Sequence, residues 1–122
     1  MKFELPPLDI EEYVLGNGLR VVLNLDPAVP VVALAVYYDV GSRNEREGRT
    51  GFAHLFEHMM FQGSENVPKA GHFQYIMKAG GTMNGTTSSE RTNYFETLPA
   101  SELPLALWLE SDRMRSLAVT QE

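Results

Sequence analysis

The sequence predicts an α+β domain in the order β-β-β-α-α-β-β-α, with helices packed on a mostly antiparallel sheet. Three observations carry that expectation. Short β-prone runs come in pairs separated by turn residues. Between the pairs lie two segments with apolar residues at helical spacing, and a third such segment follows the last strand. Gly, Pro or Asn punctuates most of the junctions.

In order, residues 12 to 15 and 19 to 25 flank Gly16-Asn17-Gly18, whose residues tolerate positive φ and suit a tight hairpin. Asp26-Pro27 ends the second run. Residues 31 to 40 are rich in Val, Ala and Tyr, which predicts a central strand buried on both faces. Gly41-Ser42 closes it, and a charged loop leads to a helix over 50 to 61 with Thr50 as N-cap and Gly63 beyond its end. Pro68 opens a second helix over about 69 to 79, with Ala70, Phe73, Ile76 and Met77 at helical spacing and Gly80-Gly81 as its stop. His72 lies off that stripe and is expected at the surface. Residues 82 to 88 are threonine-rich and 92 to 98 aromatic, a second hairpin. The first of these strands has little to bury and belongs at a sheet edge, where unpaired backbone is either shielded or used to pair with an extended peptide. Ser101 is expected to cap the last helix, with Pro104 in its first turn, Leu103, Leu107 and Met114 facing inward and Trp108 in the core.

The chemistry concentrates in His54-Leu55-Phe56-Glu57-His58. On a helix each residue turns the side chain by about 100°, which places Glu57, His58 and Phe61 within roughly 60° of His54 and puts Phe52, Leu55, Phe56, Met59 and Met60 on the other side. Two histidines at i and i+4 can point ring nitrogens at one ion, and the carboxylate between them can reach a water on that ion. The competing reading is the wet face of an amphipathic helix. Phe61 continues the stripe, which a solvated face would not favour. This ordered triple also arises by chance in roughly one per cent or fewer of chains of this length.

Composition narrows the remaining classes. The length suits one domain with its own core. A formal net charge of -6 and no basic stripe argue against a nucleic-acid partner, because Glu45 and Glu47 are interleaved with Arg43, Arg46 and Arg49. With no cysteine, disulfides and Cys-ligated zinc are excluded, and a four-ligand structural zinc site is hard to build from three histidines. No apolar run is long enough for a membrane-spanning helix, and residues 1 to 8 contain no signal-peptide h-region. Compartment is left undetermined, cytoplasmic or, if a precursor was trimmed, periplasmic or secreted.

Together with the H-x-x-E-H signature, Asn17-Gly18-Leu19-Arg20-Val21-Val22, Gly41-Ser42-Arg43-Asn44-Glu45, Gly48 to Phe61, Gly80 to Thr87 and Thr92-Asn93-Tyr94 resemble the opening domain of the inverted-motif zinc peptidases known as the M16 family. That family includes insulin-degrading enzyme, pitrilysin and the processing peptidase β subunit. The resemblance runs from about residue 12 to the end of the sequence. It implies that His54 and His58 hold zinc (Zn2+), that Glu57 is the general base, and that an extended peptide or small-protein substrate lies as an added strand along the edge matching residues 82 to 88, against Asn84, Gly85 and Thr86.

Family members complete the zinc site with a glutamate on a later helix, further past the second histidine than this sequence extends. Glu90, Glu96, Glu102 and Glu110 precede that spacing and are not assigned the role. The expectation is therefore that residues 1–122 are the N-terminal part of an M16 domain, truncated before the third metal ligand and inactive alone. Such a piece should expose apolar surface meant for the missing remainder of its chain and self-associate through it. The alternative is a non-catalytic family subunit serving as a binding or structural partner. Members of that sort have commonly lost part of the signature, which is intact here.

Overall fold

The computed structural model describes residues 7–119. The reading of residues 1 to 6 and of the last three residues lies outside that range. The element order matches the expectation: β1 Ile10–Val14, β2 Arg20–Asn24, β3 Val31–Tyr38, α1 Phe52–Met59, α2 Gly71–Lys78, β4 Thr82–Thr87, β5 Thr92–Pro99 and α3 Leu103–Ser116, with short 3-10 turns at Ser42–Asn44 and Ala100–Glu102. All strand pairs are antiparallel.

β1 and β2 form a separate hairpin, joined through Leu15 N–H to Leu19 O at 2.8 Å, with Val14 opposite Arg20. An isolated two-stranded hairpin is marginal in water. Its exposed Glu12–Arg20 ion pair adds little, since solvent screens such pairs.

The second sheet has the order β3-β5-β4, which places β4 at an edge as expected. β3 departs from expectation: among the described residues it pairs only with β5, and its residues alternate exposed and half-buried, so β5 is the central strand of this sheet. Small outward residues, Ala33 and Ala35, made an amphipathic strand read as one buried on both sides.

The three helices lie over one sheet face, where Val67, Ile76, Leu98, Ala106 and Leu109 form the core and Val32, Leu34 and Met83 pack against it. His72 is inside rather than at the surface. It is 0% exposed, its Nε2 is 3.2 Å from Leu109 O, and burial followed by the charge of Arg113 lowers its pKa. α3 likewise turns differently from expectation: Ala106, Leu109, Glu110, Asp112 and Arg113 face inward, whereas Leu107, Met114 and Trp108 (42% exposed) face out. Asp112 accepts from Ser64 Oγ at 2.6 Å and Asn66 Nδ2 at 2.7 Å, and the other two inward charges pair with each other. Arg113, 1% exposed, donates through Nε to Glu110 Oε2 at 3.0 Å and through Nη2 to Glu110 Oε1. Its guanidinium carbon stands 4.3 Å from the Tyr94 ring centroid. Burial of an ion pair is tolerated when its hydrogen bonds are satisfied.

Helix starts also differ from the sequence reading. Ser101 makes no cap on α3, where Glu102 occupies the N-cap position. The N-cap of α1 is Gly51 (φ 90°) rather than Thr50. The capping group comes from a distance: the Glu45 carboxylate accepts from Gly51 N–H and Ala53 N–H, both at 2.8 Å. Those backbone donors hold its pKa below the ordinary glutamate value, as expected for an anion at a helix N-terminus. The loop carrying Glu45 is pinned to the β4–β5 hairpin by Ser42 N–H to Ser88 O at 3.1 Å and Arg43 N–H to Ser89 O at 2.9 Å. Gly41 permits this, since a Cβ there would meet Ser88 O at 2.4 Å.

Candidate metal centre

α1 brings the two histidines of the signature together. Their Nε2 atoms are 3.0 Å apart, the ring centroids 4.7 Å apart, and both side chains are solvent-exposed. Two imidazoles bound to one zinc at about 2.0–2.1 Å in a tetrahedral arrangement hold their nitrogens about 3.3 Å apart, so this spacing fits a shared ion after a shift of a few tenths of an ångström. Among the described residues no third His, Cys, Asp or Glu joins them. The pair therefore fits two of the three protein ligands a catalytic zinc takes.

Glu57, half-buried one turn after His54, reaches across to β4, where its Oε2 accepts from Thr87 Oγ1. Glu57 and His54 share a cleft of about 510 Å³ with Thr86, Thr87 and Ser88, so the chemical face of α1 and the end of the edge strand open onto one space. A second cavity of about 410 Å³ lies against Phe52, Phe56 and Met60, on the apolar side of α1. Phe61, just past the helix, wedges against Phe73 at a centroid distance of 4.8 Å and against Tyr94 at 5.6 Å. Arg113 Nη1 donates to Met60 O at 3.3 Å, tying the end of α1 to α3.

Asn84 and Thr86 project from the exposed side of β4, and Gly85 faces the helices. Asn84 Oδ1 accepts from Gly85 N–H at 2.9 Å. The Thr86 hydroxyl donates to Asn93 Oδ1 and accepts from Arg91 Nη1 at 3.0 Å. Residue 85 is tightly packed, because a Cβ would stand 3.1 Å from the Tyr94 ring and 3.2 Å from the Phe61 ring, which would have to give by a few tenths of an ångström. Ser88 N–H donates to Arg91 O, so by the alternation of an antiparallel ladder the even-numbered residues of β4 bond β5 and the backbone groups of Met83, Gly85 and Thr87 point outward along the free edge.

Glu96 sits behind this region, not in it. It is 2% exposed, and neither carboxyl oxygen has a hydrogen-bond partner among the described residues. Burial, and then the charge of Glu110, push its pKa up to about 7.

The profile of the insulinase family, peptidase family M16, matches residues 20–121. The chain belongs to the M16 family. Its relatives include the zinc protease PqqE of Helicobacter pylori, 40% identical over 92% of this chain and 26% of that protein, and insulin-degrading enzyme-like 2 of Arabidopsis thaliana, 43% identical over 73% of this chain and 10% of that one. Among solved structures, a protease from Helicobacter pylori superposes with a TM-score of 0.90 at 33% identity, covering 94% of this chain and 28% of that one. Pitrilysin gives 0.87 at 28% identity, covering 99% of this chain and 13% of its own. The chain thus spans between 10% and 28% of the length of these M16 proteins.

Three features of this M16 site escaped the sequence reading. Thr87 lay inside the expected edge strand, and period two places it on the face of Met83 and Gly85, but nothing local marks it as a partner of Glu57. Glu45 and Arg113 act on α1 across gaps in sequence that periodicity does not span.

Proposed function

We propose that this chain is the part of a zinc-dependent endopeptidase that carries two metal ligands, His54 and His58, and the general base, Glu57. Among the described residues no third protein ligand joins the two histidines, and a catalytic zinc takes three. The observation that supports this reading best is the 3.0 Å approach of the two Nε2 atoms on the face of α1 that also carries Glu57. Zinc, when bound, lowers the pKa of a coordinated water from 15.7 to about 7 and polarises the carbonyl under attack.

The rest of the chemistry falls to side chains and backbone of this chain. Glu57 takes the proton of the attacking water and delivers it to the leaving nitrogen, a task that requires hydrogen-bond reach on both sides. The substrate is an extended peptide laid along β4. Its backbone pairs with the outward N–H and C=O groups of Met83, Gly85 and Thr87, so the Asn84 amide gives up its contact with Gly85 N–H when the peptide arrives. Asn84 and Thr86 then flank the bound strand on the open face.

The test uses two lengths of protein. The 122-residue chain alone binds zinc weakly and has negligible turnover. The longest reading frame containing it binds one zinc and cleaves peptides, and Glu57→Gln lowers its kcat about 10²–10⁴-fold with zinc retained. Full activity in the 122-residue chain contradicts the proposal, as does stoichiometric zinc in the longer protein with no cleavage.

A further inference from the structure

Among the described residues, the Glu57 carboxyl group has one side-chain hydrogen-bond partner, the hydroxyl of Thr87. We infer that Thr87 is a positioning residue for the general base, fixing which oxygen of Glu57 faces the attacking water. This rests on the reading of Glu57 as that base.

The geometry supports the role from several sides. Thr87 donates to Oε2, and both residues line the same cleft. Thr87 is the last residue of β4, opposite Thr92. The turn that follows is closed by Ser88 N–H to Arg91 O at 2.8 Å, so the backbone under the hydroxyl is held. Its Cβ branch restricts χ1, which further fixes the donor. Thr86 cannot substitute, because its side chain is on the other face and its hydroxyl is engaged by Asn93 and Arg91.

One strand therefore does two things at one residue. The Thr87 backbone faces the free edge where the peptide pairs, while its side chain holds the base. A peptide docked on β4 is placed in register with the Glu57 carboxylate without any loop between them. Groups that orient a reacting side chain in this way typically cost tenfold to a hundredfold when removed.

The experiment uses the longest reading frame containing this sequence, loaded with zinc, and a quenched fluorescent peptide. Thr87→Val keeps the shape and deletes the donor. It is expected to lower kcat about 10- to 100-fold with KM changed by less than about twofold, and with zinc stoichiometry and thermal midpoint as in the parent. Thr87→Ser restores most of kcat. In crystals of the zinc-free proteins, Glu57 leaves its parent rotamer in Thr87→Val and keeps it in Thr87→Ser. If Thr87→Val lowers the thermal midpoint, Thr87→Ala carries the same comparison without a new methyl group. The inference is overturned by an undiminished kcat in the hydroxyl-free variant, by a loss that tracks zinc content, or by Thr87→Ser failing as badly as Thr87→Val. Full activity in Glu57→Gln removes instead the reading beneath it, whatever Thr87 does.

Discussion

His54 and His58 were legible because the i, i+4 spacing alone decides that two side chains share a helix face. Residues that act through tertiary contacts carried no such mark. Glu45 is the clearest case: a charged loop residue in the sequence, it caps α1 in the structure. Because its folded pKa is depressed, the stability it contributes is present above the ordinary glutamate value and is lost as pH falls through the folded one. Glu45→Gln is therefore expected to lower the thermal midpoint at pH 7 and to flatten its fall on acidification, as followed by circular dichroism. Parallel curves for the two proteins contradict this. Glu96 has the opposite sign. Below pH 4.5 it is neutral in both folded and unfolded chains. Between that value and about 7 only the unfolded chain ionises it, so stability declines over that window and levels off above it. Glu96→Gln is expected to gain on the order of 2–3 kcal/mol over the parent at pH 8 and little at pH 4.5, measured by urea unfolding at the two pH values. An equal gain at both shows that Glu96 is not held neutral by the fold.

At the scale of elements, the order of strands and helices followed from turn chemistry and periodicity, and the edge position of β4 from its lack of apolar residues. Which face each element turns to its neighbours did not follow. Apolar periodicity put Leu107, Trp108 and Met114 inward on α3, yet the buried face carries Glu110 and Arg113, whose charges cancel against each other and whose guanidinium stacks on Tyr94. His72 is buried for a related reason, since the Leu109 carbonyl on the same helix meets its ring. Arg113→Ala is expected to destabilise the fold by about 3–5 kcal/mol by leaving Glu110 buried without its partner. The double replacement Arg113→Met with Glu110→Leu is expected to recover most of that loss. A double variant no more stable than the single one, in chemical denaturation, shows that the pair is needed for more than mutual neutralisation.

At the scale of the whole molecule, little apolar surface is well covered. Among the described residues the buried core cluster consists of Val67, Ile76, Leu98, Ala106 and Leu109. Leu25, Val29, Leu55 and Met77 are among the large apolar side chains more than half exposed. The hairpin of β1 and β2 stands as its own sheet. With that much apolar surface exposed, the 122-residue protein alone is expected to show concentration-dependent association in sedimentation velocity. A monomer at all concentrations contradicts that expectation. Whether α1 offers both imidazoles to one zinc is read most directly by zinc K-edge X-ray absorption on the longest reading frame containing this sequence. The expected shell has two imidazole nitrogens from α1 at about 2.0–2.1 Å, reduced to one in His58→Ala. A zinc shell identical in the parent, His54→Ala and His58→Ala contradicts it.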